Sequence, residues 1–253
     1  MDGAADDVVR PDEPSLPDGA GDVRAPAGDR LPAPPDPTLS ECFSSHPRDA
    51  GWVRFLLSRL PRTGPILWVQ ERMAILEAGR IHPPGLEGPL GGKPGVDIIH
   101  VTAPDTPRLL WAMEEGLRCS GLSAVIGEAW GEHARLDFTA TRRLAFASEA
   151  HGVACWLMRL GAQRANLSGA RWRWRVESLP SQVNALDPQA PGSSRLTADL
   201  FRVRGRAPGI WEWRDEDAHV AAQAEAGSPP DRVDRAAAPV ARAVGETVRR
   251  ASG

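Results

Sequence analysis

The middle of this chain alternates short apolar runs with helical patterns, and no other feature of the sequence constrains the fold as strongly. The apolar runs cover residues 65–69, 98–101, 123–127 and 153–157. Runs of this length without polar alternation are typical of strands that are buried on both faces of a sheet. Helical patterns separate the later runs, as crossover connections between parallel strands require. The sequence therefore predicts an α/β fold with a mostly parallel sheet and helices on both faces.

Two helices of this predicted core are marked by signals at their ends. Asp105 and Pro107 supply an N-cap residue and a first-turn proline for one helix, and Gly121 lies where its C-terminal cap is expected. The other helix covers residues 137–150 and ends at Gly152. These signals predict the order strand, helix, strand, helix, strand.

The last third of the sequence changes to strands with alternating polarity. Residues 171–176 alternate arginine with tryptophan or valine, so successive side chains are expected on opposite faces of one strand. We expect Trp172 and Trp174 on a buried face and the arginines on a solvated face. Residues 196–204 and 210–213 predict a hairpin. The sheet is therefore predicted to end in an antiparallel C-terminal edge.

Aromatic residues indicate which part of the chain folds. Every tryptophan and phenylalanine lies within residues 38–214, which we predict to be one domain. Residues 1–37 are rich in proline, glycine, alanine and aspartate, which predicts a disordered N-terminal segment. Residues 215–253 are rich in alanine and charged residues, which predicts a flexible C-terminal tail.

Composition excludes several classes of function. The formal net charge of -3 provides no global field for nucleic acid, so DNA contact requires a local patch. The three cysteines lack a CxxC pair and are expected to pack as small apolar groups, and the histidines lack ligand spacing, so no metal site is predicted. No segment resembles a signal peptide, and no apolar run approaches the ~18 residues that span a bilayer. We expect a cytoplasmic protein.

Several blocks of the sequence resemble known families. Residues 66–128 resemble the core of the RecA recombinase in the order and spacing of their elements. Four further blocks resemble the ImuA proteins of bacteria: LWAMEEGLRC at 110–119, GEAW at 127–130, LDFTATRRL at 136–144 and RVRGRAPG at 202–209. Together the resemblance covers about residues 39–214, and it implies that the domain has a RecA-like sheet.

The resemblance to ImuA also implies a function. It implies an SOS-induced accessory protein of error-prone translesion DNA synthesis, which belongs to the DNA-damage response and to mutagenesis. The implied partners are ImuB, a catalytically inactive relative of Y-family polymerases, and an error-prone C-family DNA polymerase. We expect the chain to act by protein–protein contact, with DNA contact as a further option.

A nucleotide site of the RecA type is not expected to work in this chain. ATP hydrolysis requires GxxxxGK[ST] between a strand and a helix, because backbone N–H groups and the lysine neutralise the phosphates. The corresponding residues 44–52 contain neither the glycine pair nor a lysine. Lys93 cannot replace it, because it precedes a strand and is followed by Pro94. The sequence predicts a degenerate P-loop, hence a pseudo-ATPase without enzymatic activity or a cofactor.

Four residues are predicted to remain at the degenerate nucleotide pocket. Asp49 and Gly51 lie where the P-loop would lead into a helix over residues 51–60, and Asp49 would repel phosphate. The RecA resemblance places Glu71 near the water-activating glutamate and Glu128 at the Walker-B acid. Without the lysine a general base has no phosphoryl group to act on. Both glutamates are therefore interpreted as solvated carboxylates at strand ends.

The best candidates for contact with nucleic acid or a partner are arginines and tryptophans of the last third. Arginines bind phosphates, and exposed tryptophans stack on unpaired bases. A structural strand with a solvated arginine face is favoured over such contact, although the arginines together could form a basic rim. The candidates are Arg171, Trp172, Arg173, Trp174, Arg202, Arg204 and Arg206.

Two alternative functions stay open at this point. A divergent, DNA-stimulated ATPase of the RecA type would use Glu71 and Glu128, and its nucleotide affinity would fall in a Glu128→Ala variant. A SulA-like inhibitor of cell division would bind FtsZ instead of polymerase subunits, since SulA proteins have RecA-related folds without a P-loop.

Overall fold

The computed structural model describes residues 31–44, 46–61, 64–86, 97–162, 166–190 and 192–214. The predicted tails, apart from residues 31–37, and Lys93 lie outside these residues. The elements in chain order are β1 (Leu39–Ser44), α1 (Gly51–Ser58), β2 (Ile66–Glu71), α2 (Arg72–Ala78), α3 (Pro83–Leu86), β3 (Ile98–Ala103), α4 (Thr106–Leu117), β4 (Ala124–Trp130), α5 (Phe138–His151), β5 (Ala154–Leu160), β6 (Trp172–Leu179), β7 (Arg195–Val203) and β8 (Gly209–Arg214).

The strands form one eight-stranded sheet in the order β3-β2-β4-β5-β1-β6-β7-β8. Pairing is parallel from β3 through to β6. The β7 strand runs antiparallel to both of its neighbours, β6 and β8. This sheet confirms the predicted fold class, a mostly parallel α/β sheet with an antiparallel C-terminal edge.

Apolar side chains cover the sheet in two separate clusters, one on each face. On β2, Ile66 and Trp68 pack in the cluster with α1, whereas Leu67 and Val69 pack in the cluster with α4 and α5. Successive residues of a strand point to opposite faces, so an unbroken apolar run supplies both clusters. The prediction of helices on both faces is therefore confirmed.

The helix signals are confirmed at three of the four predicted ends of α4 and α5. Asp105 accepts a hydrogen bond from Arg108 N and Asp137 accepts one from Ala140 N, so both are N-caps. Gly152 ends α5 with φ of 68°, a left-handed conformation that favours glycine. The prediction for Gly121 was wrong: α4 ends at Leu117, because the N–H of the next residue bonds back to Glu115 O and the chain leaves the helix early.

The strand β1 was not predicted, although it lies inside the sheet between β5 and β6. All six of its residues are buried, and Ser40 and Glu41 interrupt the apolar pattern that would have indicated it. Glu41 is fully buried because its carboxylate meets two buried arginines, Arg173 Nε at 2.7 Å and Arg159 Nη1 at 3.7 Å. Pairing between distant residues offsets the burial of these charges, and no local pattern reveals it.

The same ion pairs correct the expected solvated arginine face of β6. Arg173 is 2 % exposed and lies against Glu41, whereas Arg175 is exposed. Two residues on the N-terminal side of β1 also make contacts with the rest of the structure. Leu31 packs against the core and Pro32 O accepts a hydrogen bond from Arg59 Nη2, inside the segment expected to be disordered.

No helix among the residues described by the structure is long and apolar enough to cross a membrane.

The division into a domain over residues 38–214 and two tails stays a prediction.

Candidate functional site

A cavity of about 570 Å³ opens at the carboxyl end of β1, where the chain turns into α1. Its walls come from the loop before α1, from the ends of β4, β5 and β6, and from residues 78–82 after α2. Carboxyl ends of parallel strands are where ligands of open α/β sheets bind. Trp52, Trp68 and Trp213 give the cavity an apolar lining.

The N-terminus of α1 is occupied by a side chain of the protein itself. Asp49 Oδ1 accepts hydrogen bonds from Gly51 N at 2.8 Å and from Ser178 Oγ at 2.6 Å, and Oδ2 accepts one from Ser178 N at 2.8 Å. Free N–H groups at a helix N-terminus are the ones that bind anions. Here the Asp49 carboxylate is the anion that the helix start binds, and its bonds to Ser178 connect α1 to the end of β6.

Gly51 packs closely against Ser178 at this junction. A Cβ atom at position 51 would overlap the Ser178 hydroxyl oxygen. The glycine at the start of α1 therefore allows close approach to β6, a role that does not depend on phosphate.

Glu128 lies at the floor of the cavity and is 2 % exposed. Its carboxylate accepts hydrogen bonds from Trp68 Nε1 and, at 3.0 Å, from Gln70 Nε2. Burial raises the pKa of Glu128 to about 7, although both hydrogen bonds act to lower it. The expectation of a solvated strand end was wrong here, because β4 continues to Trp130 and Glu128 lies within it.

Gln70 connects Glu128 to the wall of the cavity. Gln70 Oε1 accepts a hydrogen bond from Ile81 N at 3.1 Å and lies 3.0 Å from His100 Nε2. The amide nitrogen of the same side chain, Gln70 Nε2, also donates to Gly79 O at 3.2 Å. Burial and the nearby positive charge of Arg80 lower the pKa of His100. A neutral His100 that donates from Nε2 completes this network, which holds the segment after α2 against the sheet.

Glu71 points to the opposite side of the sheet from Glu128. Its carboxylate accepts hydrogen bonds from Thr106 Oγ1 at 2.8 Å and from Trp130 N at 2.9 Å, and the residue is 5 % exposed. It is absent from the cavity lining. Glu71 is therefore neither a solvated carboxylate nor part of the cavity, because residues 70 and 71 of one strand face opposite ways.

Of the four residues predicted for the pocket, the fold brings Asp49, Gly51 and Glu128 together at one cavity and excludes Glu71. The described lining contains arginines and no lysine. One of these arginines, Arg195, is paired with Glu212 at 3.0 Å. Within the described ranges, no group of three or more histidine, cysteine, aspartate or glutamate residues is placed to hold a metal ion.

The second set of candidates, in β6 and the hairpin, divides into buried and exposed residues. Trp172 and Trp174 are 8 % and 0 % exposed, so neither ring is available to stack on a base. Arg173 is buried against Glu41, and Arg171 makes two hydrogen bonds to Glu149. The exposed members are Arg202, Arg204 and Arg206.

The sequence analysis did not predict that Arg59, Arg159 and Glu41 are buried charged residues. Arg59 caps α1 and stacks over the Trp174 ring at 5.8 Å. Cys119 also differs from expectation, because it is exposed, whereas the other two cysteines are buried. One signal in the sequence could have pointed to the buried ion pairs. It is the single charged residue, Glu41, within the otherwise uncharged segment Leu39–Ser44.

The chain is similar to known proteins both in sequence and in structure. No family model matches. Two curated proteins, both named "Protein ImuA" and both from Caulobacter vibrioides (strains NA1000 / CB15N and ATCC 19089 / CIP 103742 / CB 15), are each 30% identical over 175 residues. The match spans 66% of this chain and 66% of the length of each relative. A solved structure described as "Crystal structure of the RadB recombinase" matches with a TM-score of 0.46 and 13% identity, over 71% of this chain and 88% of that one.

Proposed function

Because the chain is related in sequence to the ImuA proteins, we propose that it is a non-catalytic accessory protein of SOS-induced, error-prone translesion DNA synthesis. In this proposal the RecA-like sheet is a scaffold for protein–protein contact in the cytoplasm. The partners are ImuB, a catalytically inactive relative of Y-family polymerases, and an error-prone C-family DNA polymerase.

The observation that supports a non-catalytic role is the Asp49 carboxylate at the N-terminus of α1. It accepts hydrogen bonds from Gly51 N and from both donors of Ser178. A phosphate at this position would meet the negative charge of Asp49, which already accepts the hydrogen bond of the Gly51 N–H. The described lining contains arginines but no lysine, so it lacks the cation with which a P-loop neutralises the phosphates.

The two acids of the competing ATPase hypothesis give further support. Glu128 is held by Trp68 and Gln70, and Glu71 is held by Thr106 and Trp130 on the other face of the sheet. A Walker-B acid and a water-activating glutamate must serve one nucleotide. Two carboxylates that face opposite sides of a sheet do not meet this requirement.

The biochemical test measures phosphate release by the purified chain with Mg²⁺ and ATP, with and without single-stranded DNA. We expect no release above a protein-free control in the parent chain, in Glu128→Gln or in Glu71→Gln. DNA-stimulated turnover that disappears in Glu128→Gln would show instead that the chain is a divergent ATPase.

The cellular test deletes the gene in the host organism and measures mutations induced by DNA damage. We expect deletion to abolish induced mutagenesis, and both the parent gene and Glu128→Gln to restore it. A tagged copy should co-purify ImuB and the C-family polymerase after damage. Capture of FtsZ without polymerase subunits would instead support inhibition of cell division.

A further inference from the structure

Three arginines project from the β7–β8 hairpin, at the opposite end of β7 from the cavity, which Arg195 lines. Arg202 lies near the end of β7, and Arg204 and Arg206 lie in the turn, on either side of Gly205. Gly205 has φ of 81°, the left-handed conformation that lets the chain reverse between them. We call Arg202, Arg204 and Arg206 the arginine rim, and Arg59 lies close to its member Arg206.

The acids close to the arginine rim are already used by other arginines. Within the part of the chain that the structure describes, Arg202, Arg204 and Arg206 form no ion pair, although all three are exposed. The nearby acids form ion pairs with arginines in or next to the neighbouring strand β6. These pairs are Arg171–Glu149 at 2.7 Å, Arg173–Glu41 at 2.7 Å and Arg175–Asp199 at 3.6 Å. The rim therefore keeps a surplus of positive charge.

Arg59 provides a second, independent sign of that surplus. It is 9 % exposed, and its Nε is buried with no hydrogen-bond partner among the described residues. Burial first, and then the positive charge of Arg206, lower its pKa to about 10. A buried guanidinium that is repelled by a neighbouring arginine would be stabilised by an anion bound nearby.

Tryptophans contact Arg206 and Arg59, and their burial limits what this surface can recognise. The Arg206 guanidinium lies 5.7 Å from the Trp172 ring, Trp172 lies 5.9 Å from Trp174, and Arg59 lies 5.8 Å from Trp174. Cation–π contacts of this kind orient the guanidinium groups. Because both rings are buried, they offer no surface on which a base could stack.

We propose that the arginine rim binds the phosphodiester backbone of nucleic acid without reading its bases. Arginine suits this ligand because its planar fork donates two hydrogen bonds to one phosphate. Arg202, near the end of β7, and Arg204 and Arg206, in the turn that follows, are all exposed, so several guanidinium groups of one short segment are available to phosphates. The inference goes beyond the proposed function, since it concerns binding by the purified protein alone.

The experiment measures fluorescence anisotropy of a labelled thymidine 20-mer titrated with the purified full chain at low salt. The rim variant carries Arg202→Gln, Arg204→Gln and Arg206→Gln. The matched control carries Arg72→Gln, Arg108→Gln and Arg142→Gln, three exposed arginines on α2, α4 and α5. Both variants remove the same amount of charge, and circular dichroism checks that both keep the fold.

We expect the rim variant to raise Kd at least tenfold and the control to raise it less than threefold. The slope of log K against log salt should become shallower by about 2 in the rim variant, because each phosphate that the protein neutralises contributes roughly 0.7 to that slope. Duplex DNA in a second arm shows whether the backbone is bound in single-stranded or duplex form. Adenosine and thymidine 20-mers should bind within threefold of each other.

Several results would overturn the inference. These are absence of DNA binding by the parent chain, equal weakening in the two variants, a strong base preference, or competition by poly-glutamate at the same charge concentration. The last would identify the rim as a site for acidic protein. None of these results bears on the mutagenesis experiment, so failure here is distinct from failure of the proposed function.

Discussion

At the scale of single residues, the buried carboxylates of this protein differ in what they face. Glu41 lies between Arg159 and Arg173, so its burial is balanced by opposite charge. Glu128 meets only neutral donors, Trp68 and Gln70, in the wall of a cavity. Burial raises the pKa of Glu128, and the hydrogen bonds from its two neutral donors offset only part of that effect.

We predict that Glu128 makes stability depend on pH. Its pKa of about 7 in the folded protein lies above the ordinary value of 4.5, so the folded chain keeps a proton that the unfolded chain releases. The free energy of unfolding therefore falls as pH rises from about 4.5 to about 7, by up to about 3 kcal/mol, and then stays level. In Glu128→Gln this contribution is absent.

Urea unfolding of both proteins between pH 4.5 and pH 8 measures this effect. The variant should gain stability relative to the parent as pH rises, whatever the absolute cost of the substitution. A difference between the two proteins that stays constant across this range would contradict the prediction.

At the scale of elements, α1 is positioned by its contact with β6 more than by its own capping. Its N-cap residue, Ala50, provides no side-chain hydrogen bond, and the neighbouring Asp49 bonds to Gly51 and to Ser178. Asp49 and Ser178 lie 129 positions apart in sequence. The start of α1 is therefore fixed by tertiary contact across the carboxyl end of the sheet.

We predict that Gly51→Ala destabilises this junction, because its methyl group overlaps the Ser178 hydroxyl. Overpacking of this kind costs about 1 to 3 kcal/mol. Ser178→Ala removes the obstructing oxygen and keeps the backbone N–H that donates to Asp49. The double variant should be more stable than the sum of the two single effects predicts.

Thermal and urea unfolding of the four proteins give the coupling free energy. Additive effects would mean that the methyl group is accommodated elsewhere, and the packing explanation for Gly51 would then be wrong.

At the scale of the whole molecule, one sheet separates two apolar clusters that differ in composition. The cluster with α1 contains Trp52, Trp68, Trp156, Trp172, Trp174, Trp211 and Trp213, and the cluster with α4 and α5 contains no tryptophan among its described members. Tryptophan fluorescence therefore reports mainly on one face. Because both faces share the same strands, disruption of packing on one face should unfold the other.

We predict that Leu109→Ala, on the face without tryptophan, shifts the tryptophan fluorescence transition. Leu109 is fully buried, and truncation of such a leucine costs about 2 to 5 kcal/mol. Fluorescence and far-ultraviolet circular dichroism should move together to lower urea concentration. Leu56→Ala, on the face with α1, is the matched control and should behave in the same way.

A fluorescence transition that stays in place while circular dichroism shifts would contradict this prediction. It would show that the two faces unfold separately.

Local patterns in the amino-acid sequence were enough to predict the parallel core and most of its helix ends. The run at residues 66–69 is a strand that is buried on both faces, as its apolar side chains predict, whereas the run at 98–101 is the edge strand and leaves Ile99 exposed. Asp105, Asp137 and Gly152 act on the backbone within a few residues of themselves. Interactions of this range can be predicted from one short stretch of the sequence. The absence of a P-loop motif in residues 44–52 is a local fact of the same kind.

Which charges meet, and which way they face, depends on the three-dimensional fold. Glu41 is buried because distant arginines neutralise it, Asp49 reaches a serine of β6, and Glu71 and Glu128 lie on opposite faces of the sheet. Electrostatic and packing energies depend on distance in space, and spacing along the chain does not determine that distance between strands that pair from far apart. No local pattern therefore signals these partners, whereas the folded sheet defines them.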